Sequence, residues 1–124
     1  TQARSAWSIP WIDLAHLNAS QEGMSDETWQ YIDQALRVGP YEQAVTQGVL
    51  EILLAYWYQV TPRQAPLFFE QFAVAAKQPR MLESVLKFSK TVGRDSLICP
   101  QLRFNQQYEA QRKSWVYKKY CLSK

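Results

Sequence analysis

From Tyr41 to Val60 apolar residues return every three or four positions: Tyr41, Ala44, Val45, Gly48, Val49, Ile52, Leu53, Tyr56, Trp57 and Val60. A strand would alternate, whereas this spacing puts the whole set on one side of an α-helix of about five turns. Pro40 stands at its start, where a missing backbone N–H is tolerated. Ala44 and Gly48, four apart, leave a notch that lets another helix approach closely. Such a contact offsets the roughly 1 kcal/mol that glycine loses against alanine inside a helix. The stripe is wider than one neighbour requires, which suits either a central core helix or a face shared with a second copy of the chain. Ala44, Gly48 and Ile52 are the residues expected at such a dimer interface.

Proline and glycine cut the rest of the chain into helix-sized pieces. Residues 1–9 read as an irregular arm, followed by a short helix from Pro10 to Asn18. Ser25 reads as an N-cap, with Asp26 and Glu27 near the positive end of a helix that carries Trp29, Ile32 and Leu36 and ends at Gly39. Thr61-Pro62-Arg63-Gln64 has capping-box spacing and opens a third main helix through Phe68, Phe69 and Phe72. Pro79 breaks that helix. Met81, Leu82, Val85, Leu86, Phe88 and Val92 make the next, ended by Gly93. Leu97-Ile98-Cys99-Pro100 reads as a short, extended apolar run. No hairpin dipeptide or sustained alternation argues for strands. The expected class is all-α: a compact domain of about five helices, dimeric. It divides into an arm over residues 1–24, a helical core over 25–98 and a basic-aromatic segment over 99–124.

Length and composition narrow the function classes. With 124 residues, 47% hydrophobic and 14% aromatic, the chain forms one domain with its own core and is not disordered. The longest greasy stretch, Val49 to Trp57, is interrupted by Glu51, so a membrane-spanning helix is not expected. No signal peptide is visible at the start. The single histidine, His16, stands without a second histidine or a neighbouring thiol, and no phosphate-cradling glycine motif occurs. Asp33, Glu42 and Glu51 lie off the main stripe as solvated acids. No catalytic site, metal or cofactor is expected. If residues 100–120 form one helix, Cys99 and Cys121 stand about 30 Å apart. An intrachain disulfide therefore requires that helix to fold back, and free thiols in a cytoplasmic protein are the default.

The net charge of +3 hides an asymmetry. Residues 1–62 hold Arg4 and Arg37 against seven acids, whereas residues 63–124 hold twelve basic groups against four acids. A basic half of this kind meets an anion, nucleic acid or an acidic partner. Two regions carry the candidates. In the pair of helices flanking Pro79, the second would show Arg80, Ser84, Lys87 and Lys90 outward, as in a helix facing DNA. In the tail, Arg112, Lys113, Trp115, Tyr117, Lys118, Lys119, Tyr120 and Lys124 interleave charge with rings. Arg80, Lys87, Lys90, Arg103, Arg112, Lys113, Lys118 and Lys119 are the expected nucleic-acid contacts.

Leu53-Leu54-Ala55, Val60, Ala65-Pro66-Leu67-Phe68 and then Leu97-Ile98-Cys99 with Arg103-Phe104 resemble the FlhD subunit of the flagellar master transcriptional regulator. The resemblance covers residues 45–105. One extra residue stands between Cys99 and Arg103-Phe104, and the stretch through Val38 has no counterpart. The resemblance implies a helical, dimeric, non-enzymatic activator. It would act with a zinc-bearing FlhC-like second subunit, associate with DNA and recruit RNA polymerase. It also implies that Cys99 lies near a dimer two-fold. One alternative reading is a helical adaptor or immunity-type protein whose basic half contacts an acidic protein; another is a small exported helical protein with a Cys99–Cys121 disulfide.

Overall fold

The structure, a computed structural model, describes residues 2–40 and 42–122. Tyr41, at the head of the apolar stripe, and Lys124, at the end of the basic tail, lie outside the described residues. All regular structure among those residues is helical, and no helix is long and apolar enough to cross a membrane. Six helices have ten or more residues: α1 (Gln2–Glu22), α2 (Asp26–Val38), α3 (Gln43–Ala55), α4 (Ala65–Ala76), α5 (Pro79–Thr91) and α6 (Asp95–Phe104). Short turns follow: a 3-10 turn at Gln106–Tyr108, α7 (Glu109–Arg112), α8 (Trp115–Tyr117) and a π-turn at Lys118–Leu122. The helices are thus more numerous than the five expected, chiefly because α6 and the C-terminal turns are separate pieces.

Local chemistry explains most boundaries. Ser25 Oγ accepts from the Thr28 N–H at 3.3 Å and caps α2. The Thr28 hydroxyl, fully buried, lies 2.6 Å from Asn18 Oδ1 and ties the end of α1 to the start of α2. α3 stops at Ala55 and a 3-10 turn covers Trp57–Gln59, short of the Val60 expected. Pro62 disfavours helical backbone at Thr61, so the chain must leave the helix before it. Half of the expected capping box forms: Gln64 Oε1 accepts from the Thr61 N–H at 3.1 Å, while α4 itself starts at Ala65 with Pro66 in its first turn. Pro79 stands in the first turn of α5. Gly93, at φ +73°, closes α5 with paired bonds from Arg94 N to Ser89 O at 2.7 Å and from Gly93 N to Lys90 O at 3.2 Å.

Three expectations need correction. The arm over residues 1–9 is helical from Gln2 on, so Pro10 lies inside α1 rather than at its start. Ser8 is fully buried, and a β-carbon added to Gly39 would fall 2.6 Å from Ser8 Cβ, so the absence of a side chain at Gly39 is what lets α1 settle there. Leu97–Pro100 is helical, not extended. Ile98 and Leu102, one turn apart on α6, are both fully buried, while Pro100 sits on the exposed side, where its ring replaces one backbone bond.

The third concerns the wide stripe. α3 contacts α1, α2, α4 and α5, and Val45, Val49, Leu50, Ile52, Leu53 and Leu54 are buried among them. Four neighbours within one chain account for the width that suggested a second copy. The Gly48 notch is filled by α1: a β-carbon there would fall 2.5 Å from Ile12 Cγ1. Gly48 and Ile52 are therefore interior positions, and of the stripe's expected interface residues only Ala44 is exposed. Beyond α3, Phe68 and Phe72 stack at 6.2 Å, with Trp57, Phe69 and Tyr108 edge-on around them. This ring cluster joins α4 to the C-terminal turns.

Candidate nucleic-acid interface

Arg80, Glu83, Lys87 and Lys90 share one side of α5, at spacings that keep them within a narrow arc. The opposite side, Met81, Leu82, Val85, Leu86 and Ser89, is buried. Arg80, Lys87 and Lys90 are exposed, as the sequence pattern required, and Ser84 is half-buried beside them. Glu83 interrupts the basic row, and it is where the second basic region arrives. Tyr120 Oη donates to Glu83 Oε2 at 3.1 Å, and Lys119 Nζ stands 3.8 Å from the same oxygen. The stripe on α5 and the basic turn at the C-terminus are thus one surface. Their meeting point was not legible in the sequence, because a lone acid in a basic row reads as a solvated charge.

The C-terminal turn is held from both sides. Cys121 is bonded to Cys99 on α6, with Cα atoms 5.5 Å apart. α6 ends at Phe104, and the chain reverses through Asn105 and the following turns, so the long helix that would have separated the two sulfurs does not form. The expected free thiols are replaced by this intrachain bond, and Cys99 accordingly has no thiol left with which to bridge two chains. Val116 and Tyr117 are buried and anchor the middle of the turn, and Gln111 Nε2 donates to the Ala76 carbonyl at 3.1 Å.

The remaining cations divide into two kinds. Lys113 and Lys118 are exposed, and Lys119 is exposed apart from its contact with Glu83. Arg112 is different: its Nη1 donates to the carbonyls of Leu102 at 2.9 Å and Asn105 at 3.0 Å. These carbonyls lie at the C-terminus of α6, where a cation also complements the helix dipole. Arg112 is therefore a half-buried capping residue of α6, unlike the freely exposed cations expected beside it as nucleic-acid contacts. Arg103 is exposed, its Nε donates to Tyr117 Oη at 3.4 Å, and its guanidinium carbon lies 6.0 Å from the Phe104 ring centre.

An open cleft of about 230 Å³ runs beside the disulfide, lined by Asp95, Pro100, Arg103, Phe104 and Tyr117 as well as the two cysteines. A second groove, between α1 and α3, carries Asp13, His16 and Glu51 around Gly48. Among the described residues no three histidine, cysteine or acidic side chains come together closely enough to hold a metal ion. Burial pushes the Tyr108 phenol above its ordinary range, as it must for a hydroxyl carried into the ring cluster. Comparison of the chain with protein families, with curated proteins and with solved structures found no match.

Proposed function

We propose that this chain is a non-enzymatic, nucleic-acid-associated protein acting through the basic face of α5 and the C-terminal turn. The observation that carries the reading is the convergence of Lys119 and Tyr120 on Glu83, which joins the two basic regions into one footprint. Arg80, Lys87, Lys90, Lys113, Lys118 and Lys119 then present their charges together to a phosphate backbone, with the acidic α1–α3 half turned to other contacts. A role in transcription, with an FlhC-like second subunit and RNA polymerase, belongs to this proposal through the FlhD resemblance alone. A homodimer or second subunit would have to use surface that the fold leaves open. Leu14 and Leu17, exposed on α1, supply the apolar part of such a surface. A cytoplasmic setting requires the Cys99–Cys121 bond to withstand reducing thiol pools, whereas an oxidising compartment preserves it without condition.

A salt titration tests the footprint. Binding of the full chain to a labelled oligonucleotide should weaken linearly in log–log form as salt rises. Replacing Lys87 and Lys90 by glutamate should flatten that slope by about two. Binding indifferent to salt, or none at low salt, would reject the reading. An acidic protein that binds the same face in place of nucleic acid would establish the adaptor reading instead.

A further inference from the structure

Resting on that reading, we infer that the ligand is single-stranded nucleic acid, its bases stacking on Phe104 and Trp115. Of the three exposed rings among the described side chains, Tyr58, Phe104 and Trp115, these two are the ones that have a cation over them. Phe104 is 76% exposed and Trp115 is 56% exposed. The other phenylalanines, and Trp11, Trp29 and Trp57, are buried or half-buried in the core. A large ring left in water gains nothing for the fold, and each of these two stands beside a cation. The Arg103 guanidinium carbon lies 6.0 Å from the Phe104 ring centre, and Lys119 Nζ lies 5.8 Å from that of Trp115. An exposed ring with a cation over one face has its other face for stacking and a phosphate contact within one nucleotide's reach.

Their placement flanks the basic turn. Phe104, the last residue of α6, shares the cleft beside the disulfide with Tyr117 and Cys121. Trp115 stands beside Lys119, whose amine turns to Glu83 on α5. Lys118 and Lys119 therefore lie on a turn with Trp115 on its α5 side and Phe104 on its disulfide side. A duplex has its base faces covered by stacking and can engage only the cations, because reaching the rings would require unstacking its base pairs. A single strand offers free base faces together with the backbone charge, so it alone uses every group that this surface displays.

The test compares labelled oligo(dT), a mixed-sequence duplex and poly-glutamate as ligands of the oxidised full chain, by anisotropy across a salt series. Phe104→Ala and Trp115→Ala should each lower oligo(dT) affinity about 5- to 100-fold with the salt slope unchanged, while duplex affinity stays within about twofold. Trp115→Phe, which keeps a ring, should retain most of the binding. Both positions are exposed, and an unchanged melting temperature verifies that the variants fold. If the alanine variants bind oligo(dT) like the parent while Lys87→Glu does not, the basic footprint stands and base stacking is overturned. If the parent binds neither nucleic acid at low salt, the proposed function itself fails. Preference for poly-glutamate over both would reassign the surface to an acidic protein.

Discussion

Tyr120 donates its hydroxyl to Glu83 across 37 residues of chain, and that bond seats the C-terminal turn on α5. Glu83 also holds the Lys119 amine at 3.8 Å. The carboxylate thus positions the basic surface and at the same time subtracts one charge from its centre. The two roles separate on substitution. Glu83→Gln keeps an acceptor for Tyr120 and removes the charge, so binding to a polyanion should rise by up to about fivefold, the range of an exposed ion pair. Glu83→Ala removes the anchor as well and should gain less or lose affinity. Anisotropy at fixed salt measures both, and a Glu83→Gln variant weaker than the parent would show that Lys119 depends on the carboxylate to face the ligand.

Arg112 offers a contrast between a charge that binds outward and one that builds. Its Nη1 satisfies two carbonyls at the end of α6. Arg112→Ala should therefore cost about 1.5–3 kcal/mol of folding stability, the range for hydrogen bonds from a charged donor. The salt slope of nucleic-acid binding should not change. Urea denaturation gives the first quantity and the salt titration the second. A flatter slope at unchanged stability would return Arg112 to the footprint.

The notch on α3 yields a prediction about packing. A β-carbon at Gly48 would fall 2.5 Å from Ile12 Cγ1 and 3.4 Å from His16 Nε2. Alanine improves helix propensity by about 1 kcal/mol. The clash with a buried isoleucine costs about 1–3 kcal/mol, so Gly48→Ala should be destabilising on balance. Ile12→Ala should also destabilise, by opening a cavity. The double variant should do better than the sum of the two, with a coupling of at least about 0.5 kcal/mol, because the new methyl enters the space that Ile12 vacates. Additive losses would mean that α1 shifts rather than clashes.

Much of the fold was legible because its boundaries rest on local chemistry. Ser25 caps α2 through its own hydroxyl, Pro79 opens α5 in its first turn and Gly93 ends it at a positive φ, and none of these needs a tertiary partner. The misread stretches depend on partners far away in sequence. The first nine residues carry little periodicity, and what buries Ser8 is the bare backbone at Gly39. Leu97–Pro100 holds a proline that argues against helix, yet the burial of Ile98 and Leu102 outweighs the lost bond. The width of the α3 stripe was visible, but width alone does not distinguish four neighbours in one chain from a neighbour in another. At the candidate interface the cations were identifiable by type and spacing. Which of them was a cap, and which acid joined the two regions, followed only from the reversal of the chain at Asn105.

That reversal makes the Cys99–Cys121 bond possible, and the bond closes a loop with a sequence separation of 22 residues. Chain entropy assigns a loop of this size about 3 kcal/mol of stabilisation. The Cys99→Ser, Cys121→Ser double variant should therefore lose about 3 kcal/mol in urea denaturation and on the order of 10 °C in melting temperature. Dithiol reduction of the parent should reproduce the loss. The damage should be confined at first to the end of the chain. Tyr108, Val116 and Tyr117 are buried in the core, so amide exchange should accelerate over residues 118–122 before it does in α3 or α5. Binding should fall in step, since Lys118 and Lys119 lose one of the two attachments that orient their turn. A variant as stable as the parent, with the turn equally protected, would mean that Glu83 and the buried residues hold the segment alone.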